Sequence, residues 1–364
     1  MMLIYSDEQA AIAGEARRAL AAHTRPDALL ALLEQQGQYD ASCWTLMRDQ
    51  GWTAAVLPTE HGGLGLSLVD LGLIAFEIGR VMAGAPFLTT SLGAARGIVR
   101  HGPAAVKADW LPRLASGDAI GAVAFAEGQD VLGLSTTLAD GTISGNKQGV
   151  AGGLHADIAV VLAQEAGEPV LAAVPLAGVS RTYVAGFDNS RCLANLSFNG
   201  ASATVLVRGV AALEAARDVL ATQAVVTAHE QAGGAQALME RARDHALSRR
   251  AFGQQIGAFQ SVKHRIAELY VLVELARAAA LSAAVADGTP DFLTAAAAAR
   301  LSATTAYETS ARDTTQIHGG MGVTWEGGLH LHVRRARTLA MEQGSLLFWE
   351  DLLVDRLTGV GEGA

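Results

Sequence analysis

What most constrains this chain is a change of texture along it, from helical to strand-like and back to helical. Residues 213–248 form one long helix-compatible run, broken by little except Gly233-Gly234. Residues 261–286 form a second run, stopped by Gly288 and Pro290, and 291–316 a third, which contains an alanine run at 295–299 and is ended by Gly319-Gly320. Gly327-Gly328 interrupts the next stretch, and 329–340 form a fourth run. Long helices rich in small residues predict a close-packed bundle, and the alanine run reads as tight helix packing.

The stretch 118–212 behaves differently. Short apolar runs at 122–126, 142–144, 158–162, 170–174, 194–198 and 204–207 alternate with turn signals, and Asp140-Gly141 and Asn199-Gly200 read as tight turns. Residues 1–117 read as helices again, with acid near the start of a run at 9–22 and Leu71, Ile74, Ile78 and Val81 on one face of 70–80. Between them lie Trp44-Thr45-Leu46-Met47 and a glycine-dense loop, Pro58-Thr59-Glu60-His61-Gly62-Gly63-Leu64-Gly65. The expectation is an α+β chain of three domains: an N-terminal helical domain at 1–117, a β domain at 118–212 and a C-terminal helical bundle at 213–364. Strand–helix alternation is missing, and Gly62-Gly63-Leu64-Gly65 lacks the strand–turn–helix setting of a dinucleotide fingerprint.

Composition narrows the function classes. With 27 Lys plus Arg against 36 Asp plus Glu, the net charge of −9 argues against a non-specific nucleic-acid binder. Cys43 and Cys192 cannot build a disulfide framework or a four-thiolate zinc site, and read as buried thiols of a reducing compartment. The first residues lack a signal-peptide pattern, and no apolar run reaches the length of a membrane span. A cytoplasmic protein is expected, and a mean hydropathy of +0.25 fits large subunit contacts or the many alanines. His330 and His332, two apart, point to different faces of a helix, so no metal site is expected.

Two segments carry a resemblance. Arg249-Arg250-Ala251-Phe252-Gly253-Gln254-Gln255-Ile256-Gly257-Ala258-Phe259-Gln260 lies between two long helices, and Gln316-Ile317-His318-Gly319-Gly320-Met321-Gly322 lies downstream. In this order they resemble the acyl-CoA dehydrogenase family. Pro58 to Gly65 followed by Glu77-Ile78-Gly79-Arg80 is similar to that family's N-terminal domain, and the order of helical, β and helical regions matches across nearly the whole chain. The resemblance implies FAD, an acyl-CoA substrate oxidised to enoyl-CoA, an electron-transfer flavoprotein as acceptor, and a dimer or tetramer in which each FAD touches two subunits. It places Arg249 on the pyrophosphate, where a guanidinium can bind bidentately, with Phe252 packed on the cofactor and Gln260 offering an amide. Gln316, Gly319 and Gly320 match the second FAD segment, and glycine there lets backbone N–H groups approach phosphate.

The sequence also departs from the family. The reaction needs a carboxylate to take the α proton while the β hydride goes to the flavin. The matching stretch reads Met341-Glu342-Gln343-Gly344-Ser345, which puts Gln343 at the base position, and an amide cannot take that proton. Glu342 is one residue away, about 100° round a helix. Where some members carry the base on the preceding long helix, this chain has Gln223, with Glu230 two turns along. In the β domain the flavin segments read Phe125-Ala126-Glu127-Gly128-Gln129-Asp130 and Lys147-Gln148-Gly149-Val150-Ala151, without the usual proline, serine, indole and hydroxyl.

These losses resemble a branch in which two different subunits assemble, often as an α2β2 heterotetramer, with the base on one of them. Gly322-Val323-Thr324-Trp325-Glu326, Leu329-His330-Leu331-His332, Arg334-Arg335-Ala336 and Asp188-Asn189-Ser190-Arg191 are similar to that branch, which implies a bulky or branched acyl group. Two readings stay open: an enzyme with Glu342 or Glu230 displaced into the base role, or a non-catalytic subunit that completes a shared FAD site beside a sister chain. A flavoprotein of the same fold with different chemistry, such as an oxidase, is the third.

Overall fold

The computed structural model describes residues 5–23, 26–85 and 87–359. Six helices come first: α1 (Asp7–His23), α2 (Pro26–Glu34), α3 (Ala41–Asp49), α4 (Leu68–Val81), α5 (Phe87–His101) and α6 (Ala104–Ser116). Local chemistry sets their ends. Asp7 and Glu8 put negative charge at the start of α1, where the helix dipole favours it. The Asp40 carboxylate caps α3 by accepting from the Cys43 N–H at 2.9 Å. Gly117 takes φ +69° and ends α6. On α4, Leu71, Ile74 and Ile78 are buried and Val81 is half-buried, as their spacing predicts.

Eight strands come next: β1 (Gly121–Ala124), β2 (Thr137–Ala139), β3 (Thr142–Val150), β4 (Ile158–Glu165), β5 (Glu168–Pro175), β6 (Ser180–Tyr183), β7 (Ala194–Ser202) and β8 (Thr204–Arg208). They form one sheet in the order β6-β7-β3-β2-β4-β5-β8, with β1 added parallel to β4. The apolar runs of β4 and β5 are its buried centre, and α5 packs on β1 and β4. Asp140-Gly141 is the turn between β2 and β3, and both residues have positive φ (47° and 72°), as a two-residue hairpin turn requires.

Asn199-Gly200 is not a turn. It lies inside β7, where Ser144 pairs with Asn199 and Ile143 with Ala201. Gly200 is the extra residue of a β-bulge, with φ +68° and its N–H donated to Ser144 Oγ at 3.1 Å. The same positive-φ chemistry that closes a hairpin here bends a strand.

The remaining chain is α7 (Val210–Ser248), a hairpin of β9 (Arg250–Ala251) and β10 (Gln254–Gln255), then α8 (Gln260–Val285), α9 (Phe292–His318), α10 (Leu329–Leu339) and α11 (Leu346–Thr358). The described residues of Met1–Ala31, Gly72–Ala83 and Ala224–Ala364 form one compact unit, and those of Leu32–Leu71 and Gly84–Gln223 form a second. In the first unit α8, α10 and α11 all pack on α9.

Gly233-Gly234 does not break α7. These glycines let other elements approach its backbone. A Cβ on Gly233 would lie 1.9 Å from Phe76 O, one on Gly79 1.8 Å from Glu230 O, and one on Gly234 2.4 Å from the Tyr307 ring. The end of α4 and the middle of α7 therefore touch backbone to backbone. Gly79→Ala and Gly233→Ala should each cost about 1–3 kcal/mol or more in urea unfolding, because the clash is with main chain. Gly14→Ala on α1, where the nearest atom is 3.7 Å away, should leave stability unchanged or slightly raised.

Candidate functional site

Gln343 lies in the turn between α10 and α11, held at φ +58° and followed by Gly344 at φ +107°. Such backbone is strained for a residue with a side chain and persists only where its surroundings fix it. Arg300, fully buried on α9, supplies much of that fixing: its guanidinium donates to Leu339 O and to Glu342 O, the latter at 2.8 Å. On its other side Arg300 donates to Gln231 Oε1 and to Thr304 Oγ1, at 3.0 Å in the second case, and Gln231 Nε2 donates to Thr304 Oγ1 at 3.1 Å. Burial pushes the Arg300 guanidinium down to about 10, which leaves it charged at neutral pH.

The Gln343 amide is engaged at both ends. Its Oε1 accepts from the Thr227 hydroxyl at 3.2 Å, and its Nε2 donates to Glu342 Oε2 at 3.4 Å. Glu342 itself is buried, 7% exposed. Glu230 stands elsewhere on α7, buried in an ion pair with Arg335 Nη1 at 2.7 Å, and Arg335 also reaches Ala83 O. Gln223 donates to Thr89 O at 3.4 Å, against α5. The structure thus gathers Gln343 and Glu342 with Thr227, Gln231 and Arg300, and pairs Glu230 with Arg335.

Thr227, Gln231 and Arg300 escaped the sequence reading. Their signal was present: Gln223, Thr227 and Gln231 recur every four residues in a helix otherwise rich in Ala and Val, and Arg300 directly follows the alanine run.

The end of α7 that leads into the 249–260 segment meets the 316–322 segment. His245, one turn before Arg249, stacks on His318, with ring centroids 4.1 Å apart and planes at 19°. Burial lowers both imidazoles, and their proximity lowers His245 further, so the stack is neutral at pH 7. Beyond it Arg249 is exposed, and Phe252 and Gly253 form the tip of the β9–β10 hairpin. Phe252 has φ +51° and is 95% exposed. Gln260 opens α8, exposed, and Gln316 is exposed on the last turns of α9. Gly319 ends that helix at φ +60°, and a Cβ at Gly319 or Gly320 would meet nothing within 4 Å.

Residues 6–118 match the family model described as acyl-CoA dehydrogenase, N-terminal domain, and residues 213–347 that of acyl-CoA dehydrogenase, C-terminal domain. The acyl-CoA dehydrogenase IpdE2 of Mycobacterium tuberculosis is 34% identical over 318 residues, 87% of each chain. This chain belongs to the acyl-CoA dehydrogenase family. A chain of the Tcur3481-Tcur3483 steroid ACAD superposes with a TM-score of 0.88 at 25% identity, over 97% of this chain and 98% of that one. A chain of the ChsE4-ChsE5 complex from Mycobacterium tuberculosis superposes with a TM-score of 0.89 at 21% identity, over 98% and 99%, and shares the fold.

Acyl-CoA dehydrogenases generally bind FAD, and the hairpin end of this chain fits its pyrophosphate. An exposed guanidinium, two exposed amides and open glycine backbone are the donors an anionic diphosphate takes. The β-domain segments are thinner. Gly149 has φ +61° with open space where a Cβ would stand, and Ala151 carries no hydroxyl.

What survives of those segments is structural. Lys147 is fully buried, and its ammonium donates to Phe125 O at 2.9 Å, Gly133 O at 2.8 Å and Glu127 Oε1 at 2.6 Å. Glu127 also accepts from Thr136 Oγ1 and from the Ser135 and Thr136 N–H groups. Burial pushes the Glu127 carboxyl up, but these donors outweigh it and hold it at about 2. Burial lowers Lys147, and Glu127 counters that effect. The pair ties the loop after β1 to β3. The Asp188-Asn189-Ser190-Arg191 segment is likewise a fastener: Asn189 donates to Leu33 O and accepts from the Tyr183 hydroxyl, both at 2.8 Å, and Arg191 is fully buried. His332 hydrogen-bonds the Tyr307 hydroxyl at 2.9 Å inside the unit, whereas His330 stacks on Trp325.

Lys147→Met should cost about 1–3 kcal/mol, because it leaves the half-buried Glu127 carboxylate and the Phe125 and Gly133 carbonyls without their donor. The Glu127 contribution is fully present above its ordinary value of 4.5 and is lost as pH falls towards 2. The urea midpoint should therefore fall between pH 5 and pH 3, and less steeply in Glu127→Gln. Glu230→Gln should cost about 3–5 kcal/mol, by leaving Arg335 buried without its counter-charge.

Proposed function

We propose that this chain is the base-lacking subunit of a two-component, FAD-dependent acyl-CoA dehydrogenase. The observation that carries the reading is Gln343. The turn that would present the base is intact and braced by Arg300, yet its side chain is an amide with a hydrogen-bond partner at each end. An amide has no lone pair basic enough to take an α proton at neutral pH. The reading takes neither candidate replacement as the base. Glu230 is spent on Arg335, and Glu342 is buried with its carbonyl fixed by Arg300.

When bound, FAD accepts the hydride from the substrate β carbon. This chain's part is to bind and orient. Arg249 holds the pyrophosphate, Phe252 packs on the cofactor, and Gln260, Gln316 and the N–H groups at Gly319 and Gly320 supply the remaining donors. The sister chain supplies the carboxylate, and an electron-transfer flavoprotein takes the electrons away. The names of the similar steroid ACAD and of the two-component ChsE4-ChsE5 complex support a bulky acyl-CoA as substrate and a heteromeric assembly.

The test is turnover of acyl-CoA substrates by the chain alone and with an acyl-CoA dehydrogenase chain that has the carboxylate. The chain alone should show none, and Gln343→Glu should raise the rate of the FAD-loaded protein at least ~10-fold, since a positioned base contributes about 10²–10⁴. Wild-type turnover that Glu342→Gln abolishes would overturn the reading in favour of a displaced base. Arg249→Lys should lower FAD occupancy, read from the visible spectrum, because an ammonium cannot hold a diphosphate bidentately.

A further inference from the structure

The stack of His245 on His318 joins the two chain segments whose groups suit the FAD diphosphate. The Arg249 N–H donates to His245 O at 2.8 Å, so the end of α7 carries the ring and the guanidinium together. Arg249 O in turn accepts from the Ile256 N–H at 2.9 Å, which fixes the root of the hairpin. On the other side His318 is followed at once by Gly319 and Gly320. Both rings are half-buried. An aliphatic pair could join two helix ends equally well; imidazoles add a place for a proton.

The hydrogen bonds fix where that proton goes. His318 Nδ1 donates to Thr314 O at 2.8 Å, because a carbonyl can only accept. The neutral ring therefore keeps its lone pair on Nε2. The pair can hold one further proton; a second would set two imidazolium rings face to face at 4.1 Å. The charges that act on the rings are cationic, Arg249 on His245 and Arg241 on His318, and they oppose even the first proton. The carboxylates nearest in sequence are committed to other cations. Asp244 of α7 pairs with Arg243 at 2.8 Å, and Asp313 of α9 with Arg312 at 3.0 Å and with Arg265 of α8 at 3.8 Å. The elements packed on α9 change little. Lys263, His264 and Glu268 of α8 are exposed, as are the charged residues of α11, and residues 319–323 carry no charge. On α10, His332 is engaged by Tyr307 and Arg335 by Glu230. In the hairpin Arg250 donates to Gly253 O. What would favour the proton is an anion.

We propose that the His245–His318 stack makes FAD uptake proton-linked: the pair is neutral before FAD docks and takes up one proton when the diphosphate settles on Arg249, Gly319 and Gly320. The inference rests on the placing of FAD at this end of the chain, and adds to it a control by pH. The diphosphate stays ionised throughout the range in which imidazoles titrate, so the proton goes to the protein. Burial and the neighbouring cations hold both rings below their ordinary value of 6.5 in the free protein, and a docked anion raises them. FAD affinity then rises as pH falls between the bound and the free values, by at most about tenfold per pH unit for one proton.

The experiment is FAD affinity against pH, read from flavin fluorescence, on the chain in the assembly that takes up FAD. The wild-type protein should bind FAD at least ~5-fold more tightly at about pH 5.5 than at about pH 7.5, and calorimetry in two buffers of different ionisation enthalpy should show proton uptake. The double variant His245→Phe with His318→Phe, which keeps two rings in place, should flatten the profile and abolish the uptake. Should it fail to fold, His318→Leu decides: His245 loses the neighbour that lowers it, so the profile should move to higher pH. A flat wild-type profile, or variants that keep the wild-type profile, overturns the proposal and leaves the FAD site standing. FAD bound at no pH overturns the placing of FAD at the hairpin end, and the proposal with it.

Discussion

The middle of α7 is buried without interruption from residue 219 to residue 235. A helix enclosed on every side cannot leave a polar group to water, so each one on this stretch needs a partner inside the protein. Thr222 turns back on Asp218 O, Gln223 finds Thr89 O, Thr227 finds Gln343, His229 finds Val225 O, Glu230 finds Arg335, and Gln231 finds Arg300 and Thr304. The brace under the base turn is thus a by-product of satisfying one enclosed helix. Its glycines have the same origin: a helix gripped this tightly has no room for side chains where α4 and Tyr307 press on it.

Arg300 shows how such a system carries charge. Its guanidinium is fully buried, yet its two terminal nitrogens donate to two main-chain carbonyls, an amide and a hydroxyl, and Nε alone has no acceptor among the described residues. Burial makes it less basic without discharging it. A lysine has three donors on one point and could not span both α7 and the turn. The scaffold around Gln343 thus answers to the enclosed polar groups of α7.

Much of the fold could be read from the residues, because long helices and buried strands announce themselves by period. The bundle helices, the apolar centre of the sheet and the Asp140-Gly141 turn come from local patterns. Asn199-Gly200 misled for a physical reason: an Asn-Gly pair specifies positive φ, and only the pairing of neighbouring strands decides whether that makes a turn or a bulge. The short strands β2 and β6 and the polar half of β3 lack apolar alternation and exist through their ladders. At the candidate site, Gln343, Arg249 and Gly319 were legible as departures from or matches to a pattern. Arg300 was not, because one cation after an alanine run looks like a helix surface until its neighbours are known.

The contact between α4 and α7 has a consequence for how the chain is made. The glycine-lined end of α4 belongs with the residues of Ala224–Ala364, which leave the ribosome about 140 residues later; at roughly 5–20 residues per second that is a delay of about 7–30 s. Through that interval Gly72 and Gly79 have no α7 to close on. The first compact unit therefore cannot be completed until the C-terminal helices have been made. The long-range pairs Arg80–Glu240 and Arg335–Glu230 can form only after α7 has been made.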